Sequence, residues 1–222
     1  MLSVGRVRQK YVDCLSETVG WLNNKGYSVY PKDFRILTDL TASGDISVRT
    51  AQPFHLRDWP FRSNSSNKLD MLVSFIEILS QNKETCIRTT TNVTYFRVEG
   101  KSAIAIESLH YDCNVPPGAQ HPICHAQNSH RPVESPPDSF TWEIKDNALQ
   151  DRCQCVRVPT AFINMPGVFT ILAADHMSSA HWSEFMAHCL KRFQNIPGLG
   201  NHALVSKTIP KECLSAWAWY EK

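Results

Sequence analysis

Cys86-Ile-Arg-Thr-Thr-Thr-Asn-Val-Thr-Tyr-Phe-Arg-Val98, then Glu99-Gly100, then Ala103-Ile-Ala-Ile-Glu-Ser-Leu-His-Tyr111 is the stretch that decides the fold class. Thr, Val, Ile, Tyr and Phe fill both arms, and β-branched and aromatic side chains suit the half-buried surface of a pleated strand. Glu99-Gly100 supplies the turn, so the segment reads as an antiparallel hairpin. A short loop leads to His121-Pro-Ile-Cys-His-Ala-Gln127, which reads as a third strand. Cys153 to Val158 reads as a fourth.

Helical patterns surround this sheet. Residues 4 to 24 place Val4, Val7, Tyr11, Leu15, Thr18, Val19 and Leu22 on one stripe, and Gly26 stands where a helix end favours a left-handed residue. An irregular, Asp-, Ser- and Pro-rich stretch follows to about residue 62, pinned by Phe54, Trp59 and Phe61. The spacing of Leu69, Leu72, Val73, Ile76 and Leu79 predicts a helix from about Ser66 to Gln81, with Asp70 placed for a capping-box-like contact. Pro166 suits the first turn of a helix reaching Met177. Trp182, Phe185, Met186, Cys189, Leu190 and Phe193 mark the clearest amphipathic helix, ended by Pro197-Gly-Leu-Gly200. A last helix is expected from Pro210. The expectation is one α+β domain over residues 1–222: an antiparallel sheet of about four strands flanked by amphipathic helices. Residues 128–152 form a long, polar, proline-bearing loop, a feature that often acts as a lid or a partner-binding segment.

Composition narrows the function classes. Of 222 residues, 42% are hydrophobic and 20% charged, ordinary values for a globular chain. A formal net charge of +2 lacks the basic excess of a protein that grips nucleic acid non-specifically. No apolar run approaches the roughly 20 residues that span a bilayer, and no secretory signal opens the chain. A cytoplasmic protein with no membrane association is expected, its eight cysteines mostly reduced and its two sequons (Asn64, Asn92) unused. There is no Gly-rich phosphate loop, GxSxG elbow, HExxH or dinucleotide fingerprint, and no cofactor is expected.

The chemistry gathers in one place. On a strand alternate residues share a face, so Ile104, Ile106, Ser108, His110 and Asp112 lie together, as do Ile123, His125 and Gln127. Antiparallel pairing across the loop from Cys113 to Gln120 brings His110 and Asp112 to His125 or His121. Two imidazoles and a carboxylate can serve as acid and base on a phosphodiester, and Arg157 on a neighbouring strand can stabilise an anionic transition state. The same set can hold a divalent metal through two His and one carboxylate. The structural alternative is that Asp112 caps the turn, His121-Pro122 shapes the loop and His125 is a hydrogen-bonded core residue. Cys113, Cys124, Cys153 and Cys155 offer only one close pair, a Cys-Xaa-Cys tighter than ordinary zinc spacing, and are read as coincidence. Asp175-His176 ends an apolar helical turn, where it marks either a pocket or the helix leaving the core; the latter is preferred. Trp217, Trp219 and Tyr220 are candidate partner anchors.

Tyr111-Asp112, His121-Pro-Ile-Cys-His125, Arg157-Val-Pro159 and Met165-Pro-Gly-Val-Phe-Thr-Ile-Leu-Ala-Ala-Asp-His176 together resemble uncharacterised prokaryotic families. These families occur among mobile-element, toxin–antitoxin and phage-defence genes, and some small toxins carry a similar Tyr/Phe-Asp, His-Pro, His pattern. The resemblance implies a prokaryotic accessory or binding subunit of a defence or mobile-element system, with a protein partner or nucleic acid. The alternatives are a metal-independent, toxin-like ribonuclease or phosphodiesterase using His110, Asp112, His125 and Arg157, and a metal-stabilised binding module.

Overall fold

The computed structural model describes residues 3–60, 68–81, 85–114, 124–129, 135–145, 157–159, 164–193 and 196. Helix α1 (Val4–Asn24) starts at Ser3, whose side chain accepts from the Arg6 N–H, and buries the stripe from Val7 to Leu22. Gly26 (φ +86°) ends it in the left-handed region that glycine tolerates.

Among the described residues ten strands form one sheet, not the expected four or so. Four of them, β1 (Ser28–Tyr30), β2 (Ile36–Leu40), β3 (Ile46–Thr50) and β4 (Phe54–Pro60), occupy the stretch read as irregular. The helix expected near Ser66 to Gln81 is instead a strand, β5 (Lys68–Ser80). Asp70 caps no helix; it accepts from the Asp58 N–H at 2.9 Å and lies 3.0 Å from His55 Nε2. The apolar residues of β5 satisfy a helical spacing only because its first half is buried on both faces. Strict alternation appears from Phe75, with Phe75, Glu77 and Leu79 buried and Ile76 exposed.

The hairpin forms as read, with β6 (Thr85–Glu99) and β7 (Ser102–Asn114) joined at Gly100 (φ +62°). Next come β8 (Cys124–Asn128), β9 (Glu143–Lys145) and β10 (Arg157–Pro159). The long β5–β6–β7 meander is the spine. Its β5 edge is shared by β4 and β3, and its β7 edge by β8 and the parallel β9. Helices α2 (Met165–His176) and α3 (Ser179–Phe193) begin close to the expected positions. Pro166 sits in the first turn of α2, and Asn164 caps it by accepting from the Gly167 N–H. The expected helix from Pro210 and its Pro197–Gly200 boundary lie outside the described residues. Among the described residues no helix is long and apolar enough to cross a membrane.

The helices pack on one face of the sheet, where Phe75 stacks on Tyr11 and Phe54 meets Phe169 edge-on. The other face holds a smaller apolar cluster of Leu72, Phe96, Ala103, Ala105 and Phe140, with Trp142 and Ile144 against it. Beside it, His55 is fully buried between the Asp70 carboxylate and Ser139 Oγ, which lies 3.2 Å from Nδ1.

Candidate functional site

Two rows of directly opposed residues cross the sheet. One runs Ile76, Thr90, Asp112, His125, Pro159; the next runs Ser74, Asn92, His110, Gln127, Arg157. Opposed residues of antiparallel strands project to the same face, so the register alone gathers His110, Asp112 and His125. Leu109 and Tyr111, the intervening residues of β7, pack with the main core on the helix side. The three polar groups therefore occupy the face opposite the described helices.

The alternation read from the sequence holds from Ser108 to Asp112 and fails before it. A bulge opposite Tyr95–Phe96 shifts the register, so Ala103 and Ala105 share the Phe96 side, in place of Ile104 and Ile106. Ser108 stays on the site face, 3.0 Å from Thr94 Oγ1.

His110 Nε2 lies 2.7 Å from Asp112 Oδ2, and the His110 and His125 ring centroids are 6.1 Å apart. One potential ligand atom from each of the three residues falls within 4.8 Å of the other two. His125 is 4% exposed, whereas the His110 and Asp112 side chains keep 25% and 31% of their surface. The cluster thus has a buried floor and an open rim. Burial pushes the Asp112 carboxyl up, but the His110 and Thr90 hydroxyl interactions and the charges of both imidazoles outweigh it. The group ends below its ordinary value. Asp112 Oδ1 is buried and makes no hydrogen bond of full geometry among the described residues. An orphaned carboxylate oxygen of this kind calls for an ion, a water or a substrate group.

Of the expected site residues, His110, Asp112 and His125 come together. Arg157 stands opposite Gln127, two register positions from the partner of His125, and its side chain is outside the description. His121 and the anchors Trp217, Trp219 and Tyr220 also lie outside the described residues. Cys113 and Cys124 oppose each other in the β7–β8 register, while Cys153 and Cys155 fall outside the description.

The sequence reading missed Glu77. Its carboxylate is fully buried, accepts from the Tyr11 hydroxyl and accepts from the Met165 N–H at 2.7 Å. It joins α1, β5 and the start of α2. A single charge inside Val73–Ile78 was the available signal. The His55–Asp70–Ser139 chain was missed because β4 was read as irregular.

No family profile, curated protein or solved structure matches this chain.

Proposed function

We propose that this chain is a metal-dependent hydrolase of phosphodiesters, with His110, Asp112 and His125 as the metal ligands. The observation that carries the reading is the convergence of the three ligand atoms within 4.8 Å. Metal bonds to His nitrogen and carboxylate oxygen of about 2.0–2.2 Å set ligand atoms roughly 3–4 Å apart, so small side-chain adjustments close the site. Two His and one carboxylate on one face leave positions open for water and substrate. An ion held by His110, Asp112 and His125 would supply Lewis-acid chemistry, lowering the pKa of a water that serves as the nucleophile for phosphodiester hydrolysis. The partly exposed rim, on the face opposite the described helices, gives a polymer access. Arg157, in the adjacent register row, is the residue assigned to the developing negative charge. The phosphodiester class rests on that arginine and on the resemblance to toxin-like sequences.

The metal-free alternative, with His110 and His125 as base and acid, is favoured by one observation, the 2.7 Å contact between His110 and Asp112. A carboxylate that orients an imidazole is a common catalytic arrangement. The binding-subunit expectation rests on the 128–152 loop and the C-terminal aromatics. The latter lie outside the described residues, and no observation on the described part of the loop favours it.

The test is metal analysis of protein purified without chelators, with cleavage of a fluorescent RNA and of bis-p-nitrophenyl phosphate. One transition-metal ion per chain, cleavage lost in EDTA and restored by Mn2+ or Zn2+, and loss of both metal and cleavage in His125→Ala are expected. Cleavage that survives EDTA but not His125→Ala would move the assignment to the metal-free mechanism. Absence of both metal and cleavage would sink the enzyme reading.

A further inference from the structure

On the opposite, helix-bearing face, a cavity of about 520 Å3 opens between β6, β7 and the end of α2. Its lining is Leu69, Tyr95, Ile106, Leu109 and Ala174, with Glu107, Asp175 and His176. That volume and mixture, an apolar wall with a few convergent polar groups, is typical of a small-molecule site. The β7 bulge shapes it, because the shifted register places Ile106 on this wall beside Glu107 rather than on the His110 face.

The polar groups are almost all acceptors. Asp175 and Glu107 are carboxylates, and carboxylates accept only. His176 is 5% exposed, and its Nδ1–H donates to the Pro60 carbonyl at 2.8 Å. In a neutral imidazole that bond puts the proton on Nδ1 and leaves Nε2 as an acceptor, and Nε2 makes no hydrogen bond among the described residues. Among the described residues no Lys or Arg lines the cavity. The Tyr95 ring, tilted against His176 at 5.8 Å, adds an aromatic face. Burial, then Tyr111, Asp175 and Glu107, hold the Tyr95 hydroxyl far above its ordinary value, as a negative field does.

From this geometry we infer that the cavity binds an organic cation: a primary ammonium or guanidinium group on an apolar stem. Ammonium and guanidinium groups are donors without acceptors and so match an all-acceptor rim, while the stem fills the Leu69, Ile106 and Leu109 wall. A cation is also drawn to the Tyr95 ring. A metal ion is the wrong occupant, since Glu107, Asp175 and His176 do not converge as His110, Asp112 and His125 do. This inference is independent of the metal reading, because the two sites use different residues on opposite faces.

Benzylamine, benzyl alcohol and benzoate serve as probes against the full chain, followed by ligand-observed NMR and thermal shift. They share one apolar body and differ in charge. Saturable benzylamine binding is expected, with a Kd on the order of millimolar for so small a molecule. Benzyl alcohol should bind at least about tenfold more weakly and benzoate not at all. Asp175→Asn, on an exposed helix position, should weaken benzylamine about tenfold, and Ala174→Trp should block it by filling the cavity. Both variants should melt near the parent, which shows that the fold survives. Equal binding of all three probes, no saturation at tens of millimolar, or benzylamine binding unchanged in both variants would each overturn the inference.

Discussion

Glu77 is the clearest test of how the helices are held. The carboxylate is fully buried, takes the Tyr11 hydroxyl from α1 and caps the first N–H of α2 through Met165. Glu77→Ala removes both acceptors and strands a hydroxyl and an N–H in the core. Each unsatisfied buried group costs about 1–3 kcal/mol, so the loss for the two should be about 2–6 kcal/mol, before any cavity cost. Glu77→Gln keeps an oxygen for Met165 and offers N–H to the Tyr11 oxygen, and should cost less than about 1 kcal/mol at low pH. The pH dependence separates charge from shape. Burial raises the Glu77 carboxyl, with the bonds from Tyr11 and Met165 opposing. The sign follows: the folded state holds the proton at pH values where the unfolded chain has released it. Its stabilising contribution is therefore complete below the unfolded value of about 4.3 and falls as pH rises through the folded value. One proton sets a slope of at most about 1.4 kcal/mol per pH unit. Tyr11, Cys14 and Cys86, the other titratable groups around this pair, are common to both proteins. Urea unfolding of parent and Glu77→Gln between pH 4 and 8 should show the difference moving in favour of Gln as pH rises, then levelling off. Parallel pH profiles, or an Ala variant within about 1 kcal/mol of the parent, would refute the reasoning.

Two further changes probe other polar anchors. His55→Ala leaves Asp70, 3% exposed, with only the Asp58 N–H, and should cost about 3–5 kcal/mol in urea unfolding; a loss under about 1 kcal/mol would count against the pairing. Asn164→Ala removes the cap of α2 and should cost about 0.5–2 kcal/mol, while Asn164→Asp, which keeps the acceptor, should be near neutral by the same measurement.

What was legible in the sequence divides along physical lines. The α1 and α3 stripes and the β6–β7 hairpin carry strong single-period patterns, and they form where they were read. The short strands β1–β4 do not, since β2 exposes Leu37 and Leu40 and β4 breaks at Asp58 (φ +56°). For β5, burial on both faces erases the period-two signal that separates a strand from a buried helix. The site was readable to the extent that alternation was regular. His110, Asp112 and His125 follow from it, whereas the bulge that turned Ile106 away leaves no mark in composition. Asp175 and His176 do end α2, as preferred, and they also line a cavity, whose other walls are more than sixty positions away in the chain for β7 and further still for Leu69.

The sheet face opposite the described helices solves the same problem in two ways, and the contrast bears on function. At one end, Leu72, Phe96, Ala103 and Ala105 are capped by Phe140 and Trp142, which keeps water out with apolar contact. At the other end, the equivalent rows hold Thr90, Asn92, His110, Asp112, His125 and Gln127, with the rim left partly open. Burying an imidazole beside a carboxylate is costly unless the polar groups satisfy one another, so stability alone gives no reason to prefer this set over more leucine and phenylalanine. The cluster also depends on a single register. A one-residue slip of β8 against β7 would turn His125 to the helix side and oppose Asp112 to Cys124 or Ala126. The pairing of Tyr111 with Ala126 on the core side resists that slip, and the Ser129 N–H bond to the Ser108 carbonyl, 2.8 Å, locks the strand end. The core therefore fixes, through side chains on one face, the spacing of ligand groups on the other. That coupling is why the metal reading predicts loss of metal in His125→Ala without loss of fold, since Tyr111 and Ala126 remain to hold the register.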